Sequence, residues 1–110
     1  MGAQFLVIQA NDGWLGNSYG PYQHFELARL RAIENRVPVV RCANTGISGI
    51  IRPDGTVQNI IDLNQKGIIS ESVNIGSESS FYTKYGDVFA FSCFIITLVF
   101  TFYSCIKRFF

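Results

Sequence analysis

Histidine occurs once in these 110 residues, tryptophan once and cysteine three times, and each scarcity closes off a class of chemistry. With His24 alone, no His-rich metal site can be assembled. Cys42, Cys93 and Cys105 give neither a paired framework nor a C-x-x-C spacing, and two of them lie in an apolar tail. No metal and no cofactor is therefore expected. An excess of one charge is missing too: nine Lys plus Arg stand against eight Asp plus Glu, so no polyanion-binding surface is implied and nucleic acid is not an expected partner. The apolar run at residues 4–9 is too short for a signal peptide, with no basic region before it. Leu6 stands where an N-myristoylation signal at Gly2 needs Ser or Thr. A chain of this length has room for one small domain at most.

Apolar surface is abundant at the C-terminus. Residues 88–106 read VFAFSCFIITLVFTFYSCI, without a charge, a Pro or a Gly. At ~1.5 Å per residue this run nearly crosses a ~30 Å hydrocarbon core, which predicts a transmembrane helix. A buried core helix is the alternative, but the run is apolar on all faces and the rest of the chain is too small to enclose it. Asp87 precedes the run and Lys107 with Arg108 follow it. The positive-inside bias then puts the tail, 107–110, in the cytoplasm and residues 1–86 outside. A translocated domain without its own signal needs earlier membrane segments, so the chain is expected to be part of a longer protein.

The part before the membrane helix reads as β-rich with one helix. Residues 5–8 are a short apolar run, as in a strand buried on both faces. Residues 11–20 form a loop with three glycines, and Pro21 opens a helix that runs to about Asn35 before Pro38 forbids continuation. Leu27, Leu30 and Ile33 share one face of that helix, while Ala28 and Ala32 lie on another where a backbone can come close; burial on more than one side is expected. Residues 37–43 form the next strand. Residues 48–52 pair with 57–61 through the turn Pro53-Asp54-Gly55, and 67–73 form a further strand. Residues 77–87 are a polar, aromatic-bearing connector.

This order of strand, Gly-rich loop, helix and strand carries a resemblance. FLVIQANDGWLGNSYGPYQHFELARLRAIENRVPVVRCANTGISGIIRPDGTV resembles the C-terminal half of the carbon-nitrogen hydrolase (nitrilase) domain, and more narrowly the apolipoprotein N-acyltransferase family. In that family a strand ending in Asn-Asp-x-Trp precedes Gly-Pro-aromatic-Gln-His and a helix with Ala-Arg-x-Arg-Ala. The likeness extends through Asn44-Thr45-Gly46, the hairpin, the approach 82–87 and the closing membrane helix. Soluble nitrilases share ARxRAxEN without a membrane helix behind it. Departures are Gln9-Ala10 before Asn11, Leu15 after Trp14, and 76–80, which lacks the usual Leu-Thr-Pro.

The resemblance implies an α/β fold: half of an αββα sandwich at 1–76, then the connector and the membrane helix, with the hydrolase-like part on the periplasmic side of a bacterial inner membrane. It implies acyl transfer from a membrane phospholipid to a lipoprotein N-terminus through a Glu, Lys, Cys triad. In the family all three triad residues precede the region matched here, so no catalytic residue is expected in this chain, and the chain alone is expected to be inactive. Two other readings stay open: a fragment of an amidase-type carbon-nitrogen hydrolase, and a small bitopic membrane protein without chemistry.

Asn11, Asp12 and Trp14 are the foremost site candidates, because they follow a strand directly and Gly13 and Gly16 allow tight backbone geometry. By resemblance this loop lies beside the acyl-Cys, with Trp14 lining the lipid pocket; a packing role for Trp14 and a capping role for Asn11 fit equally. Asn44 and Thr45 match a second loop at the rim. Cys42 has no local His or carboxylate to activate it and is expected to be a buried small hydrophobe. His24 fits a structural role better than a pocket role. Glu26 with Arg29 and Arg31 with Glu34 are i,i+3 pairs of the kind found on helix surfaces.

Overall fold

The computed structural model describes residues 2–76 and 78–110; Ser77, where the expected connector begins, lies outside the described residues. The chain divides into two compact units, one ending at Ser80 and the other Phe81–Phe110.

The first unit is a four-stranded sheet with one long helix against it. Strands β1 (Leu6–Asn11), β2 (Val39–Asn44), β3 (Ser48–Ile51) and β4 (Val57–Ile61) lie in the order β1-β2-β3-β4, and α1 (Gly20–Asn35) crosses between β1 and β2. The crossover makes β1 and β2 parallel, in the register Leu6↔Val39 through Asn11↔Asn44. The later pairs are antiparallel, as tight turns dictate. Pro21 sits in the first turn of α1, where its missing N–H costs nothing, and Arg36 ends the helix in the left-handed region at φ 55°.

Burial follows the two periods. Phe25, Ala28 and Ala32 recur at helical spacing and pack on Val39, Ile47 and Ile51, with Leu6, Ile8, Val57 and Leu63 around them. The small side chains of Ala28 and Ala32 bring the α1 backbone close to β2 and β3.

Four expectations from the sequence are corrected here. β1 is only partly buried, and on one face: Val7 is 60% exposed, because it points away from α1 toward a sheet face that no described residue of this unit covers at that strand. α1 is buried on one side only, leaving Leu27, Leu30 and Ile33 about half exposed, since a single sheet meets it. Cys42 is exposed rather than buried; Arg41 takes the inward position, and strand alternation turns Cys42 outward. Residues 67–73 form no strand. Side chains rather than a backbone ladder hold that segment near β4, with Gln58 Nε2 donating to Glu71 Oε2 (3.2 Å) and to the Ser72 carbonyl (3.3 Å).

The hairpin forms as its turn residues demand. Gly55 adopts φ 85°, and Asp54 Oδ1 accepts from the Thr56 hydroxyl at 2.6 Å and the Thr56 amide at 2.9 Å. Those two bonds, the hydroxyl's first, hold the Asp54 carboxyl below its ordinary value, with help from the Arg52 charge.

The second unit is helical: a short α2 (Phe81–Tyr85), then α3 (Val88–Phe109). α3 is 22 residues long, an 18-residue stretch of it has a mean hydropathy of 2.1 and no residue of it is buried, so it is long and apolar enough to cross a membrane. The hydroxyls of Ser92, Thr97 and Thr101 each donate to the carbonyl four residues back at 2.8 Å, so each finds its partner on its own helix. Lys107 and Arg108 occupy its last turn.

Candidate functional site

Because β1 and β2 are parallel and end level, Asn11 and Asn44 lie side by side at their carboxyl ends, the edge of an α/β sheet where ligands commonly bind. Both chains turn sharply there. After Asn11 the backbone makes a single 3-10 turn, Gly13–Leu15. After Asn44 it passes through Thr45 at φ 57° and Gly46 into β3.

The two loops touch. A Cβ placed on Gly13 would lie 3.3 Å from Asn11 Oδ1, 3.5 Å from Thr45 Oγ1 and 3.9 Å from Asn44 Nδ2, so the polar ends of three candidates crowd around one glycine. Gly46 is tighter still, since a Cβ there would collide with the Asp12 carboxylate. A third turn joins them: the Asn64 amide donates to the Thr45 carbonyl at 2.8 Å, and Asn64 Nδ2 to Asn17 Oδ1 at 2.7 Å.

Of the five candidates, Asn11, Asp12, Asn44 and Thr45 come together, and Trp14 stands at the margin. Its indole N–H donates to the Asn11 carbonyl at 2.6 Å, which orients the ring while the residue remains 85% exposed. Asn11, Asp12, Trp14 and His24 border an open cleft of ≈ 700 Å³ beside strand β1, together with Ile8 and Leu15.

Asp12 is directed inward. Its Oδ2 accepts from Arg41 Nη2 at 2.8 Å, and both side chains are 1% exposed. Arg41 Nε also donates to the Ile47 carbonyl at 3.2 Å. His24 Nδ1 lies 2.7 Å from Asp12 Oδ1. A carboxylate oxygen only accepts, so Nδ1 carries the proton in that bond, and the 3.3 Å separation of His24 Nδ1 from Arg41 Nη2 is proximity between two donors. Each charge in this buried pair is offset by the other and by a further hydrogen bond, as removal from water requires.

Arg41, Asn17 and Asn64 were not singled out from the sequence. For Arg41 a signal existed: it is the one charge in VVRCA, at the same strand parity as Val39, and the parallel register sets it opposite Ile8, within the strand that leads into Asp12. Cys42 lies on the opposite face of the sheet from Arg41 and its partners. Among the described residues no group of His, Cys, Asp and Glu could hold a metal ion.

The sequence matches the family model described as carbon-nitrogen hydrolase over residues 1–81. It is 47% identical over 92 residues to an apolipoprotein N-acyltransferase of Geobacter metallireducens, covering 84% of this chain and 18% of that protein. It is 42% identical over 110 residues to that of Agrobacterium fabrum, covering 97% and 21%. It is 37% identical over 107 residues to that of Chlorobaculum tepidum, covering 97% and 20%. The chain thus spans about a fifth of the length of these relatives. A four-stranded mixed sheet backed by α1, with its loops gathered at the ends of two parallel strands, is the α/β arrangement that the family match covers, and the chain belongs to the carbon-nitrogen hydrolase family.

Proposed function

We propose that the chain is the C-terminal part of a membrane-bound apolipoprotein N-acyltransferase and supplies one rim of its acyl-transfer site. The observation that carries this reading is the joint presence of the Asn11–Trp14 and Asn44–Thr45 loops at one sheet end and the apolar helix α3 behind them in sequence. Amidase-type relatives need the first and not the second.

In this reading a cysteine thiolate from outside these 110 residues attacks the ester carbonyl of a membrane phospholipid. A thioester forms, and the lysophospholipid leaves as an alcohol, taking the proton that a carboxylate relays. The α-amine of a lipoprotein's N-terminal diacylglyceryl-cysteine then attacks the thioester; an amide forms and the thiol is released. A Lys ammonium opposes the oxyanion in both steps. Trp14 lines the acyl pocket with its exposed ring, and Asn11, Asn44 and Thr45 hold the rim. Asp12 contributes by shaping the loop rather than by touching substrate. Residues 1–86 face the periplasm, and 107–110 the cytoplasm, of a bacterial inner membrane.

The test is transplantation. This chain replaces the matching fifth of the Agrobacterium fabrum relative, and transfer of a labelled acyl chain from phospholipid to a diacylglyceryl-cysteine peptide is measured in detergent. Activity in the chimera, with none from the 110 residues alone, is the expected result. Trp14→Ala should then lower turnover more than Cys42→Ser. A folded but inactive chimera overturns the proposal, and so does thioester formation on Cys42 of the isolated chain.

A further inference from the structure

We propose that Arg41 is a positioning residue: through the Asp12 carboxylate, its guanidinium sets the loop that carries Asn11 and Trp14 against the loop that carries Asn44 and Thr45. A role in acyl transfer rests on the function proposed above; the positioning itself does not.

Arg41 rises from β2 beneath the junction of the two loops and bonds to each of them. Nη2 reaches Asp12 Oδ2 at 2.8 Å on the first loop, and Nε reaches the Ile47 carbonyl at 3.2 Å at the end of the second. A planar guanidinium does this with two donors in fixed relative orientation, whereas an ammonium is a single point charge. Asp12 relays the constraint. With Oδ2 held by Arg41 and Oδ1 by His24 of α1, the carboxylate has no free rotation. One residue before it, the Asn11 carbonyl receives the Trp14 indole N–H at 2.6 Å. The absence of a side chain at Gly46 is part of the same device, since only glycine lets the second loop close over the Asp12 carboxylate. Exposed ion pairs on α1 contrast with it: Arg31 and Glu34 meet at 2.9 Å with side chains 58% and 34% exposed, and touch neither loop.

Trp14 is the only tryptophan, so the full 110-residue chain in detergent micelles gives one indole N–H resonance, and its shift and solvent exchange report on that bond. Two variants perturb the device independently: Arg41→Lys keeps the charge and loses the fork, while Gly46→Ala keeps Arg41 and displaces the carboxylate. Both should move the resonance toward that of a free indole and raise its exchange about tenfold. Arg31→Ala should change neither. Amide dispersion of the β3–β4 hairpin checks that each variant is folded. An unshifted indole resonance in a folded Arg41→Lys or Gly46→Ala chain overturns the proposal. Loss of the fold in both overturns it as well, by making the network part of the core. In the chimera, Arg41→Lys should lower kcat about tenfold with KM little changed, because the loops are misplaced rather than removed. An inactive unmutated chimera would end the acyl-transfer reading and leave the indole result standing.

Discussion

Polar groups in the α/β unit and in α3 meet the same requirement over very different reaches. Away from water an unpartnered polar group costs several kcal/mol, on the order of 2–7 for a hydroxyl or amide. In the α/β unit the buried pair Asp12–Arg41 spans 29 residues of sequence, while the hydroxyls of Ser92, Thr97 and Thr101 find partners four residues back on their own helix. The first solution ties β1, β2, α1 and two loops to one point. The second ties nothing to anything else, as a helix long and apolar enough to cross lipid would require. One therefore breaks by single substitutions, and the other only by changing what surrounds it.

The largest expected effect removes the self-contained region altogether. A chain ending at Asp87 should shift almost entirely from the carbonate-resistant membrane fraction to the supernatant or to aggregates, since α3 is the described helix long and apolar enough to span. If the shortened chain stays in washed membranes, the α/β unit itself holds the bilayer and the comparison fails. The proposed orientation makes a second prediction: a reporter fused after Phe110 should be active on the cytoplasmic side only, because Lys107 and Arg108 lie at that end of α3.

Next in size is the long-range pair. Asp12→Ala leaves the Arg41 guanidinium buried and short of its charge partner, which costs about 3–5 kcal/mol in buried pairs. Urea unfolding of the chain in micelles, followed by the single tryptophan, should register that loss. Thr97→Val in α3 should leave the same curve unmoved. A cost below about 1 kcal/mol for Asp12→Ala would place the pair among exposed ones, which are worth little.

A smaller effect is expected where α1 meets the sheet. Ala32 is completely buried, so Ala32→Leu overpacks the contact and should cost about 1–3 kcal/mol. Leu30→Ala, on the half-exposed side of the same helix, should cost less.

Ala32 and Leu30 also mark how far the sequence could be read. The helix, its start at Pro21 and its alanine face were legible, because capping and period are local signals. The side that meets the sheet was not, because Leu27, Leu30 and Ile33 are the more apolar set and yet remain half exposed. β1, β2 and the hairpin were legible from apolar runs and turn residues. The strand expected at 67–73 was not realised, because a run of suitable residues does not secure a backbone partner. At the site, the Asn-Asp-x-Trp loop announced itself by its glycines and its place after a strand. Arg41 did not, because its meaning depends on a parallel register 29 residues away, and no local pattern carries that information.

Asp54 provides the third and mildest case: a charge satisfied locally and in water. Its partner is two residues on, at the Thr56 hydroxyl and amide, and those bonds hold its carboxyl below the ordinary 3.8. The folded form binds the proton less readily than the unfolded chain. Its contribution is therefore present above the ordinary carboxylate value and lost as pH falls through the lowered folded value. Asp54→Asn keeps one carbonyl oxygen to accept from Thr56 and removes the titration. Between about pH 5 and pH 2 the urea midpoint of the unaltered chain should fall more steeply than that of the variant. At pH 6 and above the unaltered chain should be slightly the more stable, and the gap should close in acid. A gap that widened as pH fell would mean that the Thr56 bonds favour the protonated carboxyl. Because the group is exposed and reaches only two residues, its effect should be the smallest of the four, well below that of Asp12.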